Sequence, residues 1–327
     1  KQFLSLTDDG KTMIQLTVER ISPLVDIKDV YIATNANYRE LVKEQLPGIP
    51  EENILCEPIG RNTAPCIGLG AVHVASKYDD AVMIVLPSDH LIKHNDIFKD
   101  TFVNACEVAE SGANLVTVGI TPNYPETGYG YIKYNKDNKE GVSYSVEKPD
   151  LETAKSYLED GSYLWNSGMF VWKVSTILDC FKSFMPSTYD GLMKIKASVG
   201  TADYQATLEK EFPDLESQSV DYGIMEKADD IYTLAGNFGW DDVGSWLAVG
   251  RIKENNEDGN VVNGNVVTVN TKNCVIEGAD KLIATVGLRD MIVVDTKDAT
   301  LISTKENAGE IKKVLASLRE AGKNEYL

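Results

Sequence analysis

Apolar and polar positions alternate in two registers along the first third of the chain. Met13, Leu16 and Ile21, in the stretch that starts at Lys11, fall at helical spacing. Val30–Thr34 is a short apolar run that reads as a buried strand, and Tyr38–Leu46 predicts a helix stopped by Pro47-Gly48. Asn53–Glu57 reads as a second strand, closed by Pro58, and Thr63–Lys77 as a helix rich in Ala and Gly. Ala81–Leu86 is the clearest strand, wholly apolar and followed by Pro87-Ser88-Asp89-His90. Ile97–Glu110 is helical and Leu115–Gly119 extended. Continuous apolar strands between helices predict an α/β fold whose sheet is mainly parallel and covered on both faces. Such sheets bind ligands beyond the carboxyl ends of their strands. The loops at 34–37, 57–63, 87–90 and 119–130 are therefore the places to look for chemistry.

The pattern then changes twice. Residues 128–250 are mixed, with strands near 129–134 and 142–147 and helices near 151–159, 174–183 and 220–226. After Asn256 short β runs recur, among them Val266–Val269, Leu282–Val286 and Met291–Val294, each separated by a few Gly, Asn, Asp or Lys residues. That spacing suggests a meander or a small solenoid of β coils. Glu306–Ala321 closes the chain as an amphipathic helix with Ile311, Val314, Leu315 and Leu318 on one face. The polar stretch Lys253–Gly259 reads as a linker, which divides the chain into 1–255 and 256–327.

Charge narrows the class of partner. The 327 residues carry a formal net charge of −18, and all but one unit of that excess lies in residues 1–250. A negative excess of this size argues against nucleic-acid or anionic-membrane binding, where Lys and Arg are rewarded by counterion release. It leaves nucleotides open, since they need only a few local donors. Five scattered cysteines and three histidines form no metal-ligand motif, and reduced thiols suit a cytoplasmic setting. No apolar run is long enough to span a membrane.

Several motifs could carry chemistry. Asp89 follows the Ala81–Leu86 strand, where a carboxylate sits at the ligand edge of the sheet or merely caps a turn. Gly239–Trp246 contains the adjacent acids Asp241 and Asp242. Mg²⁺ takes one or two carboxylates plus substrate phosphates, so Asp89 with one of this pair could hold it. In Glu57–Pro65, Asn62 or Thr63 can cap the following helix, whose N-terminus favours anions. Glu57 says more. Guanine presents two adjacent donors, and an ionised carboxylate can accept both. In Glu147-Lys148-Pro149 a carboxylate suits sugar hydroxyls and a lysine suits phosphate, although the tripeptide alone reads equally well as a surface ion pair. Thr127–Tyr131 lets a ligand approach the backbone at its glycines, and Asn166-Ser167-Gly168 offers an amide before a glycine.

In this order the motifs, together with Lys1-Gln2-Phe3-Leu4, closely resemble the mannose-1-phosphate guanylyltransferase family of sugar nucleotidyltransferases. The resemblance covers nearly the whole chain. It implies a Rossmann-like nucleotidyltransferase domain and a small C-terminal left-handed β-helix. It also implies GTP and mannose 1-phosphate as substrates and Mg²⁺ as cofactor. Carried onto this sequence, it makes Asp89 and Asp242 the metal carboxylates and leaves Asp241 without a ligand role. Glu57, Arg61, Asn62, Thr63 and Ser88 fall on the nucleotide side. Gly128, Glu147, Lys148 and Asn166 fall on the sugar-phosphate side. Lys1 matches the lysine that closes the family's phosphate-binding signature. The glycine-rich, arginine-bearing loop and first strand expected just before Lys1 are not in the sequence given; poor turnover and a gap in the sheet are expected without them. The β coils would offer a homodimer surface.

Overall fold

The computed structural model describes residues 1–7, 10–134, 143–144, 148–229 and 231–326. They form two compact units: Lys1–Phe3 with Met13–Trp240, and Leu4–Thr12 with Asp241–Leu327. Among the described residues no helix is long and apolar enough to cross a membrane.

The first unit begins with α1 (Met13–Ile21), β1 (Ile32–Asn35), α2 (Arg39–Gln45), β2 (Ile54–Glu57), α3 (Thr63–Lys77) and β3 (Val82–Val85). It continues with α4 (Asn95–Glu110), β4 (Leu115–Ile120), β5 (Tyr131–Lys133), β6 (Ser143–Tyr144), α5 (Leu151–Asp160) and β7 (Tyr163–Lys173). After these come α6 (Val174–Phe184), α7 (Pro186–Ser198), α8 (Tyr204–Glu211), α9 (Val220–Gly223) and β8 (Ile231–Gly236). Local chemistry explains several of the ends. Asp150 caps α5 by accepting the Thr153 N–H at 2.8 Å, and Gly161, at φ 66°, stops it.

The main sheet is mixed. Its order is β6-β5-β7-β4-β8, with β3 also paired to β7. β4 and β8 are parallel, while β7 runs antiparallel to β3, β4 and β5. Strands β3, β4, β5 and β8 therefore share one direction, and β7 is the reversed strand among them. Both faces are covered, as continuous apolar strands require. Phe170 and Trp172 of β7 pack with α3, α6 and α7, while Met169 and Val171 pack with α4. That two-residue alternation splits one strand between two cores.

β1 and β2 form a separate parallel pair. A cavity of about 580 Å³ lies between β1 and β3, lined by Ile32 and Thr34 on one side and Met83 and Val85 on the other.

The second unit contains α10 (Trp246–Ile252), β9 (Val261–Asn263), β10 (Val266–Val269), β11 (Val275–Glu277) and β12 (Ile283–Val286). It ends with β13 (Met291–Asp295), β14 (Thr300–Thr304) and α11 (Ile311–Glu320). β9, β11 and β13 stack in parallel register, and β10 stacks on β12 in the same way. The runs are thus successive coils rather than a meander, and only β14 turns back antiparallel. Inside them the buried Asn260 donates to the Thr271 carbonyl and accepts from the Cys274 N–H, pinning one coil to the next. Gly264, at φ 94°, is forced: a Cβ there would lie 2.4 Å from the Gly278 carbonyl oxygen. The terminal helix starts at Ile311 rather than Glu306, after a 3₁₀ turn at Ala308–Glu310. Its apolar face is open, with Val314 half exposed.

Candidate functional site

Beyond the carboxyl end of β3 the chain turns through Ser88, Asp89 and His90. Lys1 Nζ pairs with Asp89 Oδ2 at 2.9 Å, and each side chain keeps more than a quarter of its surface open. The Ser88 carbonyl accepts the Thr17 hydroxyl at 3.4 Å, which fastens the turn to α1. Trp240 Nε1 donates to His90 Nδ1 at 3.0 Å. Nδ1 must therefore carry the lone pair, which directs the Nε2 side of the ring toward Asp89 Oδ1, 4.0 Å away.

Glu57 closes β2, paired in register with Asn35. Burial pushes its carboxyl above the ordinary carboxylate range, opposed by a hydrogen bond with the Cys66 thiol. Burial and the Glu57 charge in turn push Cys66 up to about 12. Glu57 Oε1 is buried and has no hydrogen-bond partner among the described residues. A ligand N–H reaching that oxygen would relieve the cost.

The loop that follows is built by its own polar side chains. Asn62 sits at φ 70°, a conformation costing a non-glycine residue roughly 1–3 kcal/mol. It accepts the Thr63 N–H at 2.8 Å. The Ala64 N–H goes to the Gln218 carbonyl, and residue 65 is proline. The first donors of α3 are thus consumed by the protein. Thr63 Oγ1 accepts the Val220 N–H at 2.9 Å. Arg61 donates to the Pro213 carbonyl and leaves its Nε buried without a partner.

Asn166 lies within β7. The Asn-Ser-Gly motif, with its amide before a glycine, is a bulge in an eleven-residue strand. Val118 pairs with Met169 and Gly119 with Asn166, so Ser167 and Gly168 have no places on β4. Ser167 donates to the Val118 carbonyl at 2.5 Å and accepts the Met169 N–H at 3.2 Å. Gly168 supplies the positive φ of 66°. Its N–H goes to Asn166 Oδ1 at 3.0 Å, which turns Asn166 Nδ2 to Asp221 Oδ1 at 2.9 Å. The Gly128 N–H donates to Glu126 Oε1 at 2.7 Å. Lys148 has an exposed side chain, and Glu147 lies outside the described residues. Between these elements and Asp89 runs a chain of rings. Trp165 packs on Tyr124 and Tyr129, and Tyr129 packs on Trp240.

In the second unit Asp241 and Asp242 part company. Asp241 Oδ2 takes two hydrogen bonds from Arg251, and Oδ1 takes the Val243 N–H at 2.8 Å. Asp242 Oδ1 accepts the Gly244 N–H at 2.9 Å. Between them Val243 is held at φ 48°, rare for a β-branched residue. A Cβ at Gly244 would meet Asp242 Oδ2 at 2.7 Å, so the glycine makes room for that carboxylate. Among the described residues no three His, Cys, Asp or Glu side chains converge on a common point.

The model of the nucleotidyl transferase family matches residues 1–259, and that of the MannoseP isomerase/GMP-like β-helix domain matches residues 264–318. A mannose-1-phosphate guanylyltransferase of Escherichia coli K12 is 38% identical, over all of this chain and 70% of that protein. The chain belongs to the nucleotidyl transferase family, on its mannose-1-phosphate guanylyltransferase branch. A Salmonella montevideo relative of the same name is 37% identical, over all of this chain and 71% of its own length. A solved Thermus thermophilus structure, titled as a mannose-1-phosphate geranyltransferase, matches with a TM-score of 0.87 at 31% identity. That match covers 97% of this chain and 92% of the other.

Set against this nucleotidyltransferase, the sequence motifs divide by the unit that carries them. The first unit brings together Lys1 with Asp89, and Asn62 with Thr63. Asp242 is carried by the second unit. Asp221, Trp165 and the His90–Trp240 bond carry no signal in the sequence motifs. Asp221 reads only as one position of a short helix, and Trp165 as one apolar residue among many.

Proposed function

We propose that this nucleotidyltransferase transfers GMP from GTP to mannose 1-phosphate, yielding GDP-mannose and pyrophosphate. The observation that carries the reading is the Lys1–Asp89 ion pair beyond β3, in a chain whose relatives are named for that reaction. A phosphate oxygen of mannose 1-phosphate forms a bond to the α-phosphorus of GTP as the bond from that phosphorus to pyrophosphate breaks. The attacking oxygen is already anionic at neutral pH, so the residues are asked for alignment and positive field rather than proton removal.

Lys1 and Lys148 supply positive charge to the phosphates. Glu57 accepts the two guanine donors, and its buried, unpartnered Oε1 supports that role. Arg61, Asn62 and Thr63 shape the base loop, with Ser88 beside the phosphates. Gly128, Glu147 and Asn166 meet the sugar hydroxyls. The carboxylates of Asp89 and Asp242 are hard oxygen donors of the kind Mg²⁺ takes alongside substrate phosphates. That chemistry fits the ion, and these two residues would hold it. When bound, Mg²⁺ would neutralise phosphate charge. Free thiols at Cys56, Cys66, Cys106 and Cys274 support a cytoplasmic setting.

Pyrophosphate release by the full-length protein tests the reading, with GTP, ATP, UTP or dTTP against mannose or glucose 1-phosphate. The highest kcat/KM is expected for GTP with mannose 1-phosphate. Release with no pair, or a preference for UTP or dTTP with glucose 1-phosphate, would overturn it.

A further inference from the structure

The segment Gln218–Asp221 touches both sides of the proposed site. At its start the Gln218 carbonyl accepts the Ala64 N–H at 3.1 Å, and the Val220 N–H donates to Thr63 Oγ1 at 2.9 Å. Both bonds clasp the first turn of α3, which emerges from the base loop. One residue later Asp221 Oδ1 accepts from Asn166 Nδ2 at 2.9 Å. The turn is itself fixed, because Ser219 caps it by accepting the Tyr222 N–H.

The orientation of Asn166 follows from its two neighbours. An amide has a donor end and an acceptor end, and only the acceptor can meet the Gly168 N–H. The donor end must then face Asp221, whose carboxylate completes the assignment with a charge-assisted bond. Each end of the amide keeps capacity for one more hydrogen bond: a second N–H on Nδ2 and a second lone pair on Oδ1. Those remaining directions are set by Gly168 and Asp221 jointly. Without the carboxylate, the bulge alone, among the described residues, would restrain the amide.

We infer that Asp221 is a specificity-determining positioning residue, which aims the Asn166 amide at the hydroxyls of the sugar 1-phosphate. Through Gln218 and Val220 the same short turn ties that aim to the base loop. The inference rests on the reading of Asn166 as a sugar contact.

The test compares Asp221→Ala, Asp221→Leu, Asp221→Asn and Asn166→Ala by pyrophosphate release, at saturating GTP, with mannose and glucose 1-phosphate. Melting temperature and KM for GTP are measured beside it. Asp221→Ala and Asp221→Leu are expected to raise KM for mannose 1-phosphate about tenfold and to shrink the mannose-to-glucose ratio of kcat/KM, as loss of one hydrogen bond to a charged group allows. KM for GTP should stay within about twofold. Asp221→Asn keeps an oxygen acceptor toward Asn166 and should lie within about threefold of wild type. Two removal variants guard against one failing to fold. The inference fails if Asn166→Ala raises KM for mannose 1-phosphate while the removal variants do not. It fails equally if Asp221→Asn is as impaired as Asp221→Ala, or if both substrates' KM values rise together. If Asn166→Ala itself leaves the sugar KM unchanged, the underlying reading of Asn166 falls and this inference with it.

Discussion

His73 offers a test of the packing between α3 and α8. It sits on α3, with its Nε2 2.7 Å from the Tyr204 hydroxyl on α8 and the two rings edge-on at 5.2 Å. Burial lowers its pKa to about 4 and raises that of Tyr204 to about 12. An unfolded histidine titrates near ~6.5. As the pH falls through that value the unfolded chain gains a proton that the folded chain refuses until about 4. The stability His73 confers is therefore complete above ~6.5 and is lost progressively down to the folded value. With those two pKa values, about 2.5 kcal/mol is gone at a pH of roughly 4.5. His73→Gln keeps a polar group beside Tyr204 but does not titrate. Urea unfolding would be followed by tryptophan fluorescence, for wild type and variant, at pH values of about 7.5 and 4.5. Wild type should lose about 2.5 kcal/mol more than the variant between them. Parallel losses, within about 0.5 kcal/mol, would refute the claim that His73 is buried neutral.

Three further expectations concern catalysis. Asp89→Asn and Asp242→Asn should each lower kcat by at least ~10²-fold, the scale of one lost electrostatic stabiliser; near-native turnover at saturating Mg²⁺ would remove the metal assignment. Glu57→Gln should reduce the GTP-over-ATP ratio of kcat/KM, because a neutral amide presents one acceptor where the carboxylate presents two; an unchanged ratio would count against Glu57 as the base reader. Gly244→Ala should cut kcat about tenfold or more by displacing the Asp242 carboxylate, with a small change in melting temperature; full activity would mean that this carboxylate pose is not the working one.

The sequence is most legible where structure is local. The Thr63–Lys77 helix is legible from its composition and the β3 run from its unbroken apolar residues and the polar turn after them, and the structure follows both. The short β runs after Asn256 could be recognised, but their stacking into parallel coils needed pairings between distant residues. β7 was the largest loss. Its Asn166-Ser167-Gly168 interruption has turn chemistry, and only the partner strand β4 reveals it as a bulge. Helices α7 and α8 are hard to discern in the sequence because charged and polar residues interrupt their apolar positions. Within the site, Asp89 and Glu57 could be found from strand ends. Asp221 could not, because its meaning lies in an amide 55 residues earlier.

The reversed strand also governs how the protein reports occupancy. β7 has β4 along one edge, and β5 and β3 in succession along the other. Opening it would break pairings with three strands at once. Its amide protons from Phe170 to Lys173 should therefore exchange only in the cooperative opening of the whole sheet. A sugar phosphate held at Asn166, as proposed, would bind to that same strand, not to a loop that can melt alone. Its binding free energy should appear undiminished as a rise in global melting temperature and as slower exchange in β3 and β4. In this fold a ligand's grip on one side chain becomes a property of the entire sheet.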